Sequence, residues 1–344
     1  MQLNLNGREV ILDKVYDDLT KAENTVFQII KDWLNGKALF SFTTSGSTGP
    51  QKSIEIHRSI LEYSASCTLD KLDPNRNFKS SLICINPEFI GGFMAIVRGV
   101  LGGHSITFMD PQSNPLKLVP NEKFDLVSMV PIQVETLFRE SSELLSQVDT
   151  VIIGGAKVNQ PTLNHIRQNT TTRFYHSYGM TETASHFALQ DLRLEEVFEV
   201  IGDAKIGKDH DSCLNVKGTV TGQALIQTTD LVDIIDLKHF RWLGRADNII
   251  NSGGIKISPE LVENILQGQI EVPFFVAGLP DEKLGSKVSL IIESNKSFDL
   301  GQFDFSKLSR YQQPKAIISI PKFVYTATEK INRAETLKRL QFGS

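Results

Sequence analysis

SLICIN (residues 81–86), SITFM (105–109), FDLVSMV (124–130) and TVII (150–153) are the stretches on which the fold turns. Each is a short apolar run, rich in β-branched residues and too brief for a helix, which reads as a buried strand. Between and around them, residues 58–72, 91–102, 131–146 and 157–169 suit helices. Strand–helix alternation at this spacing predicts an α/β chain with mostly parallel sheets and ligand loops at the strand ends. A short strand is also expected at 172–175.

The texture then changes. Residues 216–244 are strand-rich, with Gly, Thr and Asp as punctuation, and predict a small β layer. RADNIINSGG (245–254) carries Asn, Ser and paired Gly residues that mark a bend. Ser258-Pro259-Glu260 follows with an N-cap, a Pro at the first helical position and an early acid. A helix over 259–267, strands near 272–278 and 286–293, a helix near 304–310 and a strand near 315–320 complete the chain. Two unequal domains are therefore expected. Residues 1–246 form a large one, and 247–344 a small α+β one.

The 344 residues, 40% hydrophobic and 22% charged, allow about two domains with ample core. Thirty-six Lys and Arg against 40 Asp and Glu leave a net charge of -4. That balance argues against nucleic-acid binding, which wants a basic face. Three cysteines, Cys67, Cys84 and Cys213, are too far apart for a CxxC site and suit a reducing compartment. No run reaches about 18 apolar residues, so no membrane span is expected and a cytoplasmic location is.

Four places carry candidate chemistry. TTSGSTGPQK (43–52) combines small residues, hydroxyls and Lys52 in a form suited to an anion. It is not a Walker loop: that pattern, started at Gly46, needs Gly at 51 and finds Gln51. In YHSYGMTET (175–183), Gly179 permits a sharp turn, Thr181 offers a hydroxyl and Glu182 a carboxylate for Mg²⁺. Tyr178 offers a flat face for a base. Read alone, an aromatic-Gly turn with a capping acid fits equally well. TTD (228–230) and GRADN (244–248) place Asp230 and Arg245 as either a ribose clamp or a turn Asp with a boundary ion pair. TATEKINR (326–333) presents Lys330 in a polar loop, where a lysine is ordinarily just solvated.

In this order the motifs resemble those of the adenylate-forming superfamily, which includes acyl-CoA synthetases, luciferases and peptide-synthetase adenylation domains. IIGGA (152–156) is similar to its adenine-side glycine segment. The resemblance implies a large adenylating domain followed by a small mobile domain, and a two-step ligase using ATP, Mg²⁺ and CoA. It also implies roles. Thr44, Ser45, Gly46, Ser47, Thr48, Gly49 and Lys52 grip the β- and γ-phosphates. Thr181 meets the α-phosphate and Glu182 the metal. Gly154, Gly155, Ala156, Tyr178 and Gly179 line the adenine side, and Asp230 and Arg245 hold the ribose. Lys330 bridges carboxylate and α-phosphate, Asp247 is the hinge, and Gly253 and Gly254 approach the thiol channel.

Within the superfamily, NPEFIGG (86–92), Val97-Arg98 and TETASHFAL (181–189) are similar to the branch that activates o-succinylbenzoate for menaquinone synthesis. The resemblance implies an apolar acyl pocket near Phe89, Ile90, Gly91 and Gly92. A second substrate carboxylate would lie near Arg98, Ser185 or His186. Other aryl-acid or carrier-loading ligases, and a non-catalytic nucleotide binder, stay open, as does a homo-oligomer. Three departures stand out: Phe89 where many relatives carry His or another aromatic, Glu329 where Gly is usual before the lysine, and Ile255 where many are polar.

Overall fold

The computed structural model describes residues 2–43, 53–169, 171–194, 196–326 and 331–341. Strands β1 (Leu3–Leu5) and β2 (Arg8–Val10) form a hairpin ahead of helix α1 (Lys21–Leu34). Thr20 caps that helix: its hydroxyl accepts from Glu23 N at 3.2 Å, and the Glu23 carboxylate accepts from Thr20 N at 2.8 Å. Strands β3 (Leu39–Thr43) and β4 (Ser53–His57) pair antiparallel on either side of the hydroxyl-rich loop, and α2 (Arg58–Leu72) follows.

Alternation then runs through β5 (Ser80–Ile83), α3 (Ile90–Leu101), β6 (Ser105–Phe108), β7 (Phe124–Met129), α4 (Pro131–Glu140), β8 (Val148–Ile153), α5 (Gln160–Asn169) and β9 (Arg173–Met180). Six strands follow up to residue 245, with no α-helix among the described residues: β10 (Ser185–Asp191), β11 (Phe198–Val200), β12 (Lys205–Lys208), β13 (Cys213–Lys217), β14 (Ile226–Ile234) and β15 (His239–Arg245). Apart from the β3–β4 pair, these strands join one 13-stranded sheet.

The α/β class holds, but the sheet is mixed. Parallel pairing is confined to the neighbours β1, β6, β5, β7, β8 and β9. Between β9 and β15 the described residues hold no α-helix to carry the chain back, so every later pairing in this sheet is antiparallel. The strand-rich stretch predicted over 216–244 thus extends the main sheet at its edge. β7 and β8 are buried along nearly their whole length, as a sheet covered on both faces requires.

Some boundaries move for identifiable reasons. The helix expected over 131–146 stops at Glu140, because Ser141 leaves helical geometry and its buried hydroxyl accepts from Asn114 Nδ2 at 2.7 Å. A 3₁₀ turn continues over Ser142–Gln147. The helix expected from 157 begins at Gln160, where the Asn159 carboxamide oxygen accepts from Thr162 N at 2.8 Å as a cap. Lys157 therefore lies in the loop after the glycines. The helix expected over 304–310 is absent. There, Asp304 accepts from Ser306 N and Gln312 from Ser309 N, and these local bonds satisfy the backbone as turns.

After residue 245 the strands form a separate sheet. It contains β16 (Ile250–Ser252), β17 (Ile255–Ile257), β18 (Phe274–Asp281), β19 (Gly285–Glu293) and β20 (Ala316–Ile320). Helices α6 (Pro259–Leu266) and α7 (Arg333–Gln341) belong to this part of the chain. Pro259 does open α6, and Ser258 holds the cap position. The Ser258 hydroxyl, however, makes no cap bond: it lies 3.2 Å from the Leu243 carbonyl and 3.0 Å from the Glu260 carboxylate. All three cysteines are free, and among the described residues no helix is long and apolar enough to cross a membrane.

Candidate functional site

Parallel strands send their carboxyl ends to one edge of the sheet, and three motifs emerge there. β5 runs into residues 86–92, β8 into Gly154–Ala156, and β9 into Thr181 and Glu182. The register Ile83↔Ser128, Ser128↔Ile152 and Ile153↔His176 sets these strand ends level with one another. Such an edge is where open α/β sheets bind ligands.

Several residues expected on the nucleotide side are drawn together by hydrogen bonds. Tyr178 Oη donates to Asp230 Oδ2 at 2.7 Å, and Trp242 Nε1 donates to Asp230 Oδ1 at 3.1 Å. Burial, and then the Asp230 carboxylate, hold the Tyr178 hydroxyl well above its usual pKa, so it stays a donor. Arg245 pairs with Asp230 at 3.9 Å, donates to Thr229 Oγ1 at 2.7 Å, and grips Asp247 through two bonds of 2.9 and 2.6 Å. That fork raises the Arg245 pKa and lowers that of Asp247. The ring of Tyr178 packs against Phe187, Phe198 and Phe240 at 5.2–5.6 Å, so part of its surface is spent on the core.

On the adjoining strand end, Gly155 takes φ +92 and a Cβ at Gly154 would meet Ser177 Oγ at 3.0 Å. His176 Nε2 lies 3.0 Å from the Ala156 carbonyl. Burial lowers the His176 pKa to about 4, so the ring is neutral near pH 7 and must carry its proton on Nε2 to donate there. Nothing in the sequence singled out His176, Trp242 or Thr229. Their roles appear only once the cross-strand register is known.

Gly179 corrects an expectation. It lies within β9, where no turn is made. A Cβ there would stand 2.0 Å from Ser185 O and 2.5 Å from His186 Cα, so glycine serves the close approach of β9 to β10 beside the bulge at His186/Ala188. Because the obstruction is backbone, Gly179→Ala is expected to cost about 2–3 kcal/mol. A thermal melt reads this, and an unchanged Tm would show slack between the strands.

On the acyl side, α2, α3 and β10 converge. Ser64 Oγ donates to Ala184 O at 2.9 Å, and Thr68 Oγ1 donates to Ser64 O at 3.0 Å. With its proton so used, Thr68 Oγ1 must accept from His186 Nε2 at 2.8 Å. Burial and the nearby Arg98 charge keep His186 neutral. Arg98 is 2% exposed, and its Nε and Nη1 have no hydrogen-bond partner among the described residues. Desolvation lowers its pKa to about 10, which still leaves it charged at neutral pH. Ser185 is half-buried with φ +83. Phe89 holds the cap position of α3, Ile90 opens the helix and packs on the cluster containing Ala184, and Gly91 follows. A Cβ on Gly92 would strike Asn86 O at 2.1 Å, so the helix start is pressed onto the preceding loop.

Thr181 and Glu182 form a 3₁₀ turn after β9. Glu182 lines a cavity of about 200 Å³ with Glu55 and Ile56 of β4, the strand that follows the hydroxyl-rich loop. Among the described residues there is no cluster of three metal-ligating side chains. One carboxylate beside phosphate oxygens is nonetheless a donor set that Mg²⁺ accepts. Gly253 and Gly254 make the β16–β17 turn with φ +58 and +83. Thr44, Ser45, Gly46, Ser47, Thr48, Gly49, Lys52, Glu329 and Lys330 lie outside the described residues.

Comparison with known proteins gives a consistent result. Residues 11–211 match the family of AMP-binding enzymes. An acyl-CoA synthetase (AMP-forming)/AMP-acid ligase II-like protein from Dyadobacter fermentans is 32% identical, with a TM-score of 0.62 over 96% of this chain and 97% of its own. The 2-succinylbenzoate–CoA ligase of Listeria monocytogenes is 26% identical over 96% of this chain and 77% of its length. That of Staphylococcus aureus strain MSSA476 is 25% identical over 84% of this chain, which spans only 65% of the relative's length. The O-succinylbenzoate coenzyme A synthetase of Bacillus subtilis shares the fold at a TM-score of 0.76 and 20% identity, over 86% of this chain and 69% of its own.

Proposed function

The chain belongs to the family of AMP-binding enzymes, and on that premise we propose that it is an ATP-dependent, AMP-forming acid–CoA ligase for an aryl dicarboxylate of the o-succinylbenzoate type. A substrate carboxylate oxygen attacks the α-phosphorus of ATP, and pyrophosphate leaves. The thiol of CoA then attacks the carbonyl of the mixed anhydride, AMP leaves, and the thiol proton passes to solvent. In-line transfer of this kind asks the protein for position and charge.

Asp230 accepts the ribose hydroxyls, already oriented by Tyr178 and Trp242. Arg245 bridges ribose and phosphate from the Asp247 fork. Gly154, Gly155 and Ala156 admit the base, while Thr181 and the 44–52 loop take the phosphates. Mg²⁺ held by Glu182 supplies neutralisation of phosphate charge when bound. Lys330 contacts the reacting centre in the first step. Residues 1–246 and 247–344 act as two bodies, with Asp247 as hinge, and rotation exchanges Lys330 for the Gly253–Gly254 turn.

The observation that carries the substrate class is Arg98, a buried cation without an acidic partner among the described residues. A dicarboxylic acid spends one carboxylate on adenylation and keeps one, and the retained anion is the partner Arg98 lacks. His186 beside it is neutral and adds no competing charge. The test is ATP- and CoA-dependent thioester formation over a carboxylate panel. Turnover of o-succinylbenzoate well above benzoate and fatty acids is expected. Preference for a monocarboxylate would reassign the branch, and pyrophosphate release without CoA use would point to a carrier-protein thiol.

A further inference from the structure

One contact between the two parts of the chain has no role in the chemistry above. Lys157 follows directly on Gly154–Ala156, and its Nζ donates to Asn264 Oδ1 on α6. Behind Asn264 stand two carboxylates of the same helix, Glu263 and Glu260. These, with Glu196 from the large part, are the charges that act on the Lys157 ammonium.

From α6 the network continues toward the lysine loop. Arg333 heads α7 and donates to Glu263 Oε2 at 2.8 Å. Its Nη1 stands 3.8 Å from Glu260 Oε1, and its guanidinium lies over the Phe275 ring at 5.5 Å. Glu263 Oε1 also accepts from Val276 N at 2.7 Å, so helix, sheet and Arg333 move as one piece. Arg333 is three residues from Lys330. The loop is closed at its base by the Tyr325↔Ile331 bridge and by Asn332 N donating to Val324 O at 2.8 Å.

The two ends of α6 are anchored differently. Near the hinge, Glu260 accepts from Asn248 Nδ2 at 2.6 Å, and Ser258 and Glu260 press on Gly244, where a Cβ would meet them at 2.6 and 2.7 Å. These groups sit close to the pivot and shift little when the small part turns. Asn264 is one helical turn further out, about 6 Å along the axis. With Asp247 as the proposed hinge, its contact with Lys157 is the one that rotation would break.

We infer that Lys157 and Asn264 form an interdomain latch that holds α6, and through Arg333 the base of the Lys330 loop, against the nucleotide segment during the pyrophosphate-releasing step. Lys157 is a positioning residue and touches no reacting atom. The inference rests on the two-step reading above. It names the contact that selects the first of the two orientations.

The test uses Lys157→Ala, Asn264→Ala and the reversed pair Lys157→Asn with Asn264→Lys in the full chain, with two readouts. Carboxylate-dependent pyrophosphate release is expected to slow about fivefold in each single variant, the loss of one partly exposed charged hydrogen bond. Thioester formation from supplied acyl-adenylate should stay within about twofold, because that step uses the other orientation. Amide exchange over Pro259–Leu266 should quicken in the single variants, and the reversed pair should restore both readouts. Unchanged exchange in Lys157→Ala, or equal slowing of both half-reactions, overturns the latch. The exchange readout needs only folded protein, so it decides the latch even if no carboxylate supports pyrophosphate release and the ligase reading itself falls.

Discussion

Arg98→Met is expected to leave the protein at least as stable as before while removing most of its activity toward a dicarboxylate. Both halves follow from a buried charge that has no acidic partner among the described residues. Its pKa falls to about 10 because folding strips its water. The unfolded chain therefore binds the proton more tightly. For a base depressed in this way, the charge costs stability at all pH below about 10, and stability rises only above that, where the folded chain releases the proton before the unfolded one. At neutral pH the whole penalty is in force. Methionine has similar length and no charge, so about 1–2 kcal/mol of stability should return, seen as a raised Tm.

Binding runs the other way. A substrate carboxylate that meets Arg98 in a dry pocket is one half of a buried ion pair, and removing the other half costs about 3–5 kcal/mol. That is roughly a 10²–10⁴-fold fall in kcat/KM for o-succinylbenzoate. A monocarboxylate has nothing to lose there and should change by less than about threefold. Equal losses on both substrates with a lowered Tm would make Arg98 a packing residue.

Some of this was legible in the residues themselves. The alternation of SLICIN, SITFM, FDLVSMV and TVII with helical stretches was enough for the parallel part of the sheet, because buried parallel strands must be almost wholly apolar. Helix α2 matches its predicted limits at both ends. Asp230, Arg245 and Tyr178 could be named, yet TTD and GRADN alone left a ribose clamp and a boundary salt bridge equally open. The cross-strand pairing Asp230↔Arg245 set them opposite each other, and it depends on a register no local pattern encodes. Trp242 and His176 were missed for the same reason. The 304–310 region failed because apolar spacing was read without weighing side chains that bond their own backbone. Gly179 was singled out correctly for the wrong geometry: a glycine required by a neighbouring strand looks in sequence like one required by a turn.

Lys330→Ala is expected to slow carboxylate-dependent pyrophosphate release by roughly 10²–10³-fold, the loss that follows removal of one preorganised donor from a developing anion. Thioester formation from supplied acyl-adenylate should change by less than about threefold. The asymmetry follows from the anchoring of the flanking chain. On one side Tyr325 Oη donates to Glu293 Oε2 at 2.8 Å, and on the other Arg333 is fixed to Glu263 on α6. With its flanks tied to β19 and to α6, the lysine would travel with the second sheet and its helix, and on the two-orientation proposal it would serve only the orientation that brings it to the phosphates. Substitution by arginine should rescue poorly, because a planar fork cannot take the place of a compact point charge. Glu329→Gly tests the neighbouring departure separately: removing an adjacent carboxylate frees the ammonium and lets the loop reach φ > 0, so pyrophosphate release should hold or rise. Equal slowing of both half-reactions in Lys330→Ala would mean that the loop stays at the site throughout, and the two-orientation reading would fall with it.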